Sequence, residues 1–488
     1  MNDNREEAHM AVGIVGYGVY IPKSRIKREE IAKVWGGRGK GENAVLNENE
    51  DIITMAIEAS VNAMEHSGLA DVKEIDAIYL GTDSPPNIEH SSIGIIAQTL
   101  GARQDIEVMD FTTSTRAGIA ALKAGVDAVK AGRIKYGLVI ASDYRPASPG
   151  SNMEMFFGGG AGAFIVGDKD TIADLEEVYT YSGNFRDNWR SLADTYVKDY
   201  EPRFTRQYGY SEYVFSSVVG LLSKTGLAID QFQHIVFQQP DARLPMEIAR
   251  KLKVTSEQTE LGSIFNDIGD TGAACLFIGL SSVFDRAVSG NRVLAVSYGS
   301  GASDALYLTV KEPIEKARDR CKSYQSYLAN NSYIDYPRYL RGKGVLKKDE
   351  EPASLGVSPL SPFMWRASAE LYRLIGAKCL NCGYVNFPPS QRKICIRCGN
   401  TEFKEVIFSR RGKIHTFCVN YYMPPGFESP LPIIIADLDD GVRHRALGTE
   451  MSPEEVKIDM PVELVLRKLT SEGNVDLYGN VFRQIRIK

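Results

Sequence analysis

The chain has 488 residues, 43% of them hydrophobic and 24% charged. That length suits two or three domains, and the composition is ordinary for a globular protein. A formal net charge of −5 gives no general attraction for nucleic acid phosphates. The polar, acidic start MNDNREEAHM lacks the order of a signal peptide, and no apolar run matches the ~18 residues of a membrane span, so no membrane partner is expected and the cytoplasm is the expected compartment.

Between residues 11 and 310, apolar strand candidates alternate with helical stretches. The strands read Val12–Val15, Ala77–Leu80, Glu107–Phe111, Gly137–Ala141, His234–Phe237 and Val293–Val296. Residues 51–67 and 116–131 return apolar side chains every three or four positions, as amphipathic helices do. Alternation of this kind predicts an α/β domain with helices covering its sheets. A weak repeat is also present: GLVIASD at 137–143 leads to GGGAGAFIVG at 158–167, and VLAVSYG at 293–299 leads to SGASDALYL at 300–308. Two related halves sharing one core are the economical reading.

Past residue 310 the chain becomes rich in Lys, Arg, Asp and Tyr, and SLGVSPLSPF at 354–363 reads as a linker. A helix is predicted from Trp365 to Leu374, then short strands at 413–417, 431–436 and 462–466 that suggest a small OB-like barrel. Between helix and barrel lie Cys379-Leu380-Asn381-Cys382 and Cys395-Ile396-Arg397-Cys398. Two CxxC pairs at this spacing predict a zinc ribbon, in which four thiolates hold one structural Zn²⁺; redox pairs or disulfides are the competing reading. Cys275, Cys321 and Cys418 stand alone and are expected to be small buried apolar groups.

Several segments carry a family resemblance. GIVGYGVYIPKSRI at 13–26, SYGSGASDALYL at 297–308 and YIDYPRYLR at 333–341 resemble the archaeal-type hydroxymethylglutaryl-CoA synthases of the thiolase superfamily, over roughly residues 10–345. WRASAELYRLIGAKCLNCGYVNFPPSQRKICIRCG at 365–399 resembles the DUF35 family, a zinc ribbon followed by an OB-fold, over 364–488. The resemblance implies a five-layered thiolase fold at 10–345, a linker at 346–363, a helix and ribbon at 364–402 and a barrel at 403–488. It also implies a CoA thioester as substrate or ligand, and a homodimer or a hetero-oligomer with another thiolase-like chain.

The resemblance departs from the family at the reacting positions. Thr115 aligns with the family's nucleophilic Cys, Asp83 with its general-acid Glu, Gln238 with its His, and Asp270 with the Asn that helps hold the thioester carbonyl. A threonine hydroxyl needs a neighbouring base that Gln238 cannot supply, so Thr115 is expected to be a helix N-cap, with Ser114 as the alternative nucleophile. Asp83 and Asp270, if they share a pocket, form a carboxyl pair with one raised pKa; the plainer readings are a turn-capping Asp83 and an Asp270 paired with an Arg.

Other positions are candidates of lower rank. Arg243 is placed on a CoA phosphate or at the exposed surface, His90 near the pocket, and His234 on the same strand face as Gln238 or in the core. Tyr200, Tyr208, Tyr210 and Tyr213 are read as an acyl tunnel or as interface packing. Three functions fit these residues. One is an aldolase or retro-aldolase acting on an acyl-CoA without a covalent acyl-enzyme. Another is a CoA-binding, non-catalytic subunit of a thiolase-type complex, and the third is an acyltransferase of the synthase kind.

Overall fold

In the computed structural model, the described residues are 11–346, 360–389, 393–423, 429–472 and 475–486. A nine-stranded sheet organises the first of these segments. Its two halves meet at a seam where Gly13 and Ile14 pair antiparallel with Asp174 and Ala173. Outward from the seam, one half runs Gly13–Tyr20, Gly160–Gly167, Gly137–Asp143 and Ala77–Gly81, with Glu107–Phe111 at the edge. The other half runs Ala173–Ser182, Ala302–Val310, Arg292–Val296 and His234–Phe237. In each half the first two pairings are antiparallel and the third is parallel. The repeat read from the sequence is therefore a repeat of topology.

Layering follows from which faces are apolar. The helix Cys275–Phe284 is buried at all ten positions and packs on Gly160–Gly167 and Gly13–Tyr20 from one half and on His234–Phe237 and Arg292–Val296 from the other. A helix apolar all round belongs between two layers, and with Ala117–Lys130 it forms the central one. The helix Ile52–Ser67 covers the first half from outside and Glu212–Thr225 covers the second, which completes five layers. Asp51 caps Ile52–Ser67 in a reciprocal box with Thr54, and Gly68 at φ 74° ends it.

The C-terminal part is a three-stranded ribbon sheet and a five-stranded sheet. The latter runs Arg443–Leu447, Leu431–Leu438, Arg411–Asn420, Pro461–Glu472 and Val475–Gln484; a bridge from Gly448 to Phe482 brings its edges together, leaving a nearly closed barrel. The helix preceding the ribbon spans Leu360–Arg373 rather than starting near 364, and it packs on the helix Ile93–Leu100. Most of the expected linker, 347–359, lies outside the described residues.

A buried ionic cluster fixes the barrel to the first domain. Arg467 bonds Glu58 at 3.1 Å and Glu450 at 2.6 Å, Arg483 bonds Glu58 and Glu463 at 2.9 Å each, and Arg486 bonds Glu450 at 2.7 Å. Tyr20 from the first strand joins it through Arg467 and Glu50. Tyr478 of the barrel reaches Asp51, the residue that also caps Ile52–Ser67.

Candidate active site

Parallel strands end together, so the residues just beyond each strand gather at one end of the sheet. Asp83 lies two residues beyond Ala77–Gly81, Thr112 to Thr115 come directly after Glu107–Phe111, Asp143 closes Gly137–Asp143, Gln238 is next after His234–Phe237 and Tyr298 lies beyond Arg292–Val296. Asp83, Thr112, Thr113 and Thr115 line a cleft of about 760 Å³, together with His90, Asp110, Arg145 and the segment Asn184–Arg190, whereas Asp143, Gln238 and Tyr298 are not among its lining residues. No cysteine is among the described lining residues. His90, Thr113 and Ser300 line it at φ 140°, 73° and 48°. Such backbone is costly for residues other than glycine, about 1–3 kcal/mol each, and persists where the surroundings dictate it.

The floor is a cluster of carboxyls around one guanidinium. Arg145 is buried, paired with Asp270 and stacked 4.0 Å from the Phe157 ring. Asp270 also accepts from the Gly272 amide at 2.9 Å. Asp143 accepts from the Ala273 amide at 2.9 Å and from Ser84. Gly272, at φ 54°, lets its backbone pass so close that a side chain there would strike Asp143. Burial raises the pKa of Asp143 and of Asp270. Burial and then the Asp143 charge push Asp83 up to about 7. Burial works against the charge on Arg145, but Asp270, Asp83 and Asp143 outweigh it. One cation cannot hold three ionised carboxyls, so the cluster retains a proton; of the three carboxyls, Asp83 is the one that lines the cleft.

The sequence candidates separate clearly. Asp83 and Asp270 do meet at one site, and Asp270 is bound to an arginine as its plainer reading required. Thr115 lines the cleft but is not the N-cap of its helix: Ala117–Lys130 begins after Arg116 with no side-chain cap. Its hydroxyl instead donates to the Tyr298 carbonyl at 2.7 Å, because the strand turn at Gly299 presses against it. Ser114 Oγ accepts from the Arg116 amide at 3.2 Å. Gln238 is buried and donates to the Gly272 carbonyl at 2.8 Å, behind the carboxyl floor.

His90 lies on the rim, as expected. His234 sits at the opposite end of its strand from Gln238, beside Asn291 at 3.2 Å, so the shared-face reading does not bring it to the cleft. Arg243 is exposed where the helix Leu244–Leu252 begins and does not line the cleft. Tyr200 and Tyr208 are exposed, while Tyr210 is buried with its hydroxyl on the Gln238 carbonyl at 2.6 Å and Tyr213 packs against Tyr181 and Tyr298. None of the four lines the cleft. Asp143 and Arg145 were missed from sequence; the signal available was that GLVIASD, half of the repeat, ends in Asp and so carries a carboxyl to the strand-end face.

In the ribbon, the thiols of Cys379, Cys382, Cys395 and Cys398 lie within 4.8 Å of one another, with closest pairs of 3.5 and 3.6 Å. Four thiolates around Zn²⁺ at ~2.3 Å are about 3.8 Å apart, so this donor set fits the ion and is a zinc site rather than two disulfides. Cys275 and Cys321 are buried, as expected of lone cysteines, but Cys418 is exposed on a barrel strand.

Comparison with known proteins agrees with this architecture. Residues 222–309 match the family described as 3-oxoacyl-[acyl-carrier-protein] synthase III C terminal, 366–404 the ChsH2 rubredoxin-like zinc ribbon domain, and 405–467 the ChsH2 C-terminal OB-fold domain. Hydroxymethylglutaryl-CoA synthases of Methanopyrus kandleri and Methanothermobacter thermautotrophicus are each 37% identical to the chain, covering 69% of it and 98% and 99% of themselves. Among solved structures, MvaS in complex with 3-hydroxy-3-methylglutaryl coenzyme A has a TM-score of 0.62 at 19% identity, over 72% of this chain and 94% of that one. The 3-oxoacyl-[acyl-carrier-protein] synthase III of Aquifex aeolicus VF5 reaches 0.56 at 22% identity, over 61% and 99%. With sequence identity over nearly the whole of those relatives and the same fold, this chain belongs to the hydroxymethylglutaryl-CoA synthase family of the thiolase superfamily, extended by a ChsH2-type zinc ribbon and OB-fold barrel.

Proposed function

We propose that the chain makes or breaks a carbon–carbon bond of a CoA thioester by proton transfer, as an aldolase or retro-aldolase, without carrying an acyl group on the protein. The observation that carries this reading is Asp83: a cleft-facing carboxyl that ionises at about 7, beside a buried Asp270–Arg145 pair, in a cleft that no cysteine lines. A CoA thioester as the substrate is supported by the relatives, which are named for one.

In the cleavage direction, ionised Asp83 takes the proton of a β-hydroxyl. The Cα–Cβ bond breaks, a carbonyl forms on the departing carbon, and the electron pair passes into the thioester as its enolate. Asp83 returns the proton to Cα, so an acyl-CoA and an aldehyde or ketone leave with no oxidant or reductant consumed. Negative charge on the thioester oxygen is favoured by the N-terminal end of Ala117–Lys130, which carries no side-chain cap and follows the cleft-lining Thr115. Asp270 and Asp143 act through Arg145 and through the charge they impose on Asp83. Arg243 is assigned to a CoA phosphate from its exposed position.

The test is to incubate the protein with β-hydroxyacyl-CoA thioesters and monitor carbonyl release, with intact-mass detection of any acyl adduct. Release without an adduct is the expected result. A stable adduct on Ser114 would establish acyl transfer in its place.

A second reading has its own observation. Thr115 and Gln238 are both tied to backbone carbonyls, and the edge strand Glu107–Phe111 exposes Val108 and Met109 beside the cleft. An uncovered apolar sheet edge favours pairing with another thiolase-type chain, a second copy or a different subunit. Binding of CoA without turnover, in a complex with a catalytic thiolase, would make this chain the accessory half.

A further inference from the structure

The cleft that holds Asp83 carries an apolar group of side chains that the proton transfer does not use. Pro85 and Ile88 line it from the loop after Ala77–Gly81, and Phe185, Trp189, Leu192 and Val197 line it from the segment after Ala173–Ser182. Ile88 and Leu192 leave 76% and 82% of their surface in water. From Phe185 a ladder of rings leads out of the cleft. Phe204 stacks on Phe185 at 5.5 Å and 17°, and Tyr208 follows at 5.0 Å from Phe204. Phe204 and Tyr208 are exposed and neither lines the cleft, so their rings form a shelf outside it. This shelf is held in place. Gly209 of the π-helical segment Thr205–Ser211 makes room for Phe185, because a side chain there would come within 2.7 Å of its ring. Gly183 donates to the Gly301 carbonyl at 2.9 Å, the Val197 amide donates to the Pro146 carbonyl at 3.0 Å, and Asn188 and Trp189 pair with Asp199 and Lys198 in a short antiparallel ladder.

Resting on the proposed acyl-CoA chemistry, we infer that these apolar side chains and the Phe204–Tyr208 shelf bind the distal part of an uncharged acyl chain, so that the substrate class is a thioester of a medium or long apolar acyl group. Apolar surface fixed beside water gains free energy when an apolar group covers it, and a contiguous patch of this kind marks a binding surface. Continuity with the reacting carboxyl decides the occupant. Asp83 and Phe185 line one cleft, so a chain that brings its β-carbon to Asp83 has Phe185, and then Phe204, as an apolar continuation. A short acyl group ends inside the cleft and leaves the shelf in water. A docked protein is the competing occupant, and the experiment separates the two.

Equilibrium binding of butanoyl-CoA and octanoyl-CoA to the full-length protein is measured by calorimetry, so the outcome does not depend on turnover. The two probes share every CoA contact and differ only in the length of an apolar chain. Wild type is expected to bind octanoyl-CoA about 10- to 100-fold more tightly, the range set by burying the added methylenes. Leu192→Ser and Phe204→Ser, both at exposed positions that folding does not depend on, are expected to remove most of that preference and to leave butanoyl-CoA binding unchanged. Tyr422→Ser, at an exposed tyrosine of the barrel, is expected to keep it. Equal affinity of wild type for the two thioesters would overturn the proposal. So would Leu192→Ser and Phe204→Ser proteins that keep the preference but change their subunit count in native mass spectrometry, which would assign the shelf to a docked protein. A chain-length preference in a protein that releases no carbonyl product would retain the acyl shelf and remove the aldolase reading alone. Carbonyl release without any chain-length preference would do the reverse.

Discussion

Asp83 ionises near pH 7 because burial and the Asp143 charge both oppose its anion. As a general base it works only when ionised, so turnover is expected to rise with pH through about 7, and Asp83→Asn is expected to lose about 10²- to 10⁴-fold and flatten that profile. The effect on stability has the opposite sign. A carboxyl whose pKa is raised by folding contributes fully below its unfolded value and loses that contribution as pH climbs through its folded value. The charged form therefore strains the fold above pH 7, and Asp83→Asn should melt higher than wild type at pH 8 and the same at pH 4, by scanning calorimetry. For Thr115, whose hydroxyl is spent on the Tyr298 carbonyl, Thr115→Val is expected to cost about 0.5–1.5 kcal/mol in denaturant unfolding and to keep turnover. Loss of turnover with unchanged stability would restore it as a nucleophile. Asp83, Asp270 and Thr115 were legible as positions because the chain keeps its family's order; their partners were not, since Asp143 and Arg145 reach them from another strand.

The edge strand Glu107–Phe111 is the element most exposed to a partner. It is half-buried to exposed along its length, and its outer backbone groups lack a neighbouring strand among the described residues. Met109→Lys places a charge on that edge and is expected to shift native mass spectra toward monomer; unchanged assembly would place the partner surface elsewhere. The zinc ribbon is an element whose fold is set by its metal. One zinc per chain by elemental analysis is the expected stoichiometry, and Cys395→Ser should lower both zinc content and the order of residues 375–407 in hydrogen exchange. Strand and helix positions such as 52–67, 107–111 and 117–130 were readable from apolar periodicity. Cys275–Phe284 was not, because a helix buried on every side has no polar face to create a period.

Across the whole molecule, the barrel is joined to the first domain by ion pairs from Arg467 and Arg483 of the barrel to Glu58 of the first domain. Arg467 is fully buried and bonds Glu58 of the first domain and Glu450 of the barrel. Removing Arg467 leaves Glu58 with Arg483 and Glu450 with Arg486, but takes away a buried cation that both carboxylates share, so Arg467→Ala is expected to cost about 3–5 kcal/mol of unfolding free energy. Burial resists the Glu58 anion, but Arg483 and Arg467 outweigh it and hold its pKa at about 2. A carboxyl lowered by folding contributes stability above its unfolded pKa and loses it as pH falls toward its folded one. Undocking of the barrel is therefore expected between about pH 4.5 and 2, with protease accessibility of 461–486 as its readout; resistance to cleavage at pH 2 would count against the cluster as the joint.

Sequence alone determined the local and repetitive features: alternating strands and helices, two related halves, the four-thiol ribbon, and the residues standing at the family's reacting positions. Each depends on near neighbours or on a fixed spacing, which one chain displays directly. Tertiary structure decided which carboxyls share Arg145, that Thr115 spends its hydroxyl on a backbone carbonyl, and how the barrel docks, because burial and charge pairing arise between segments far apart in the chain.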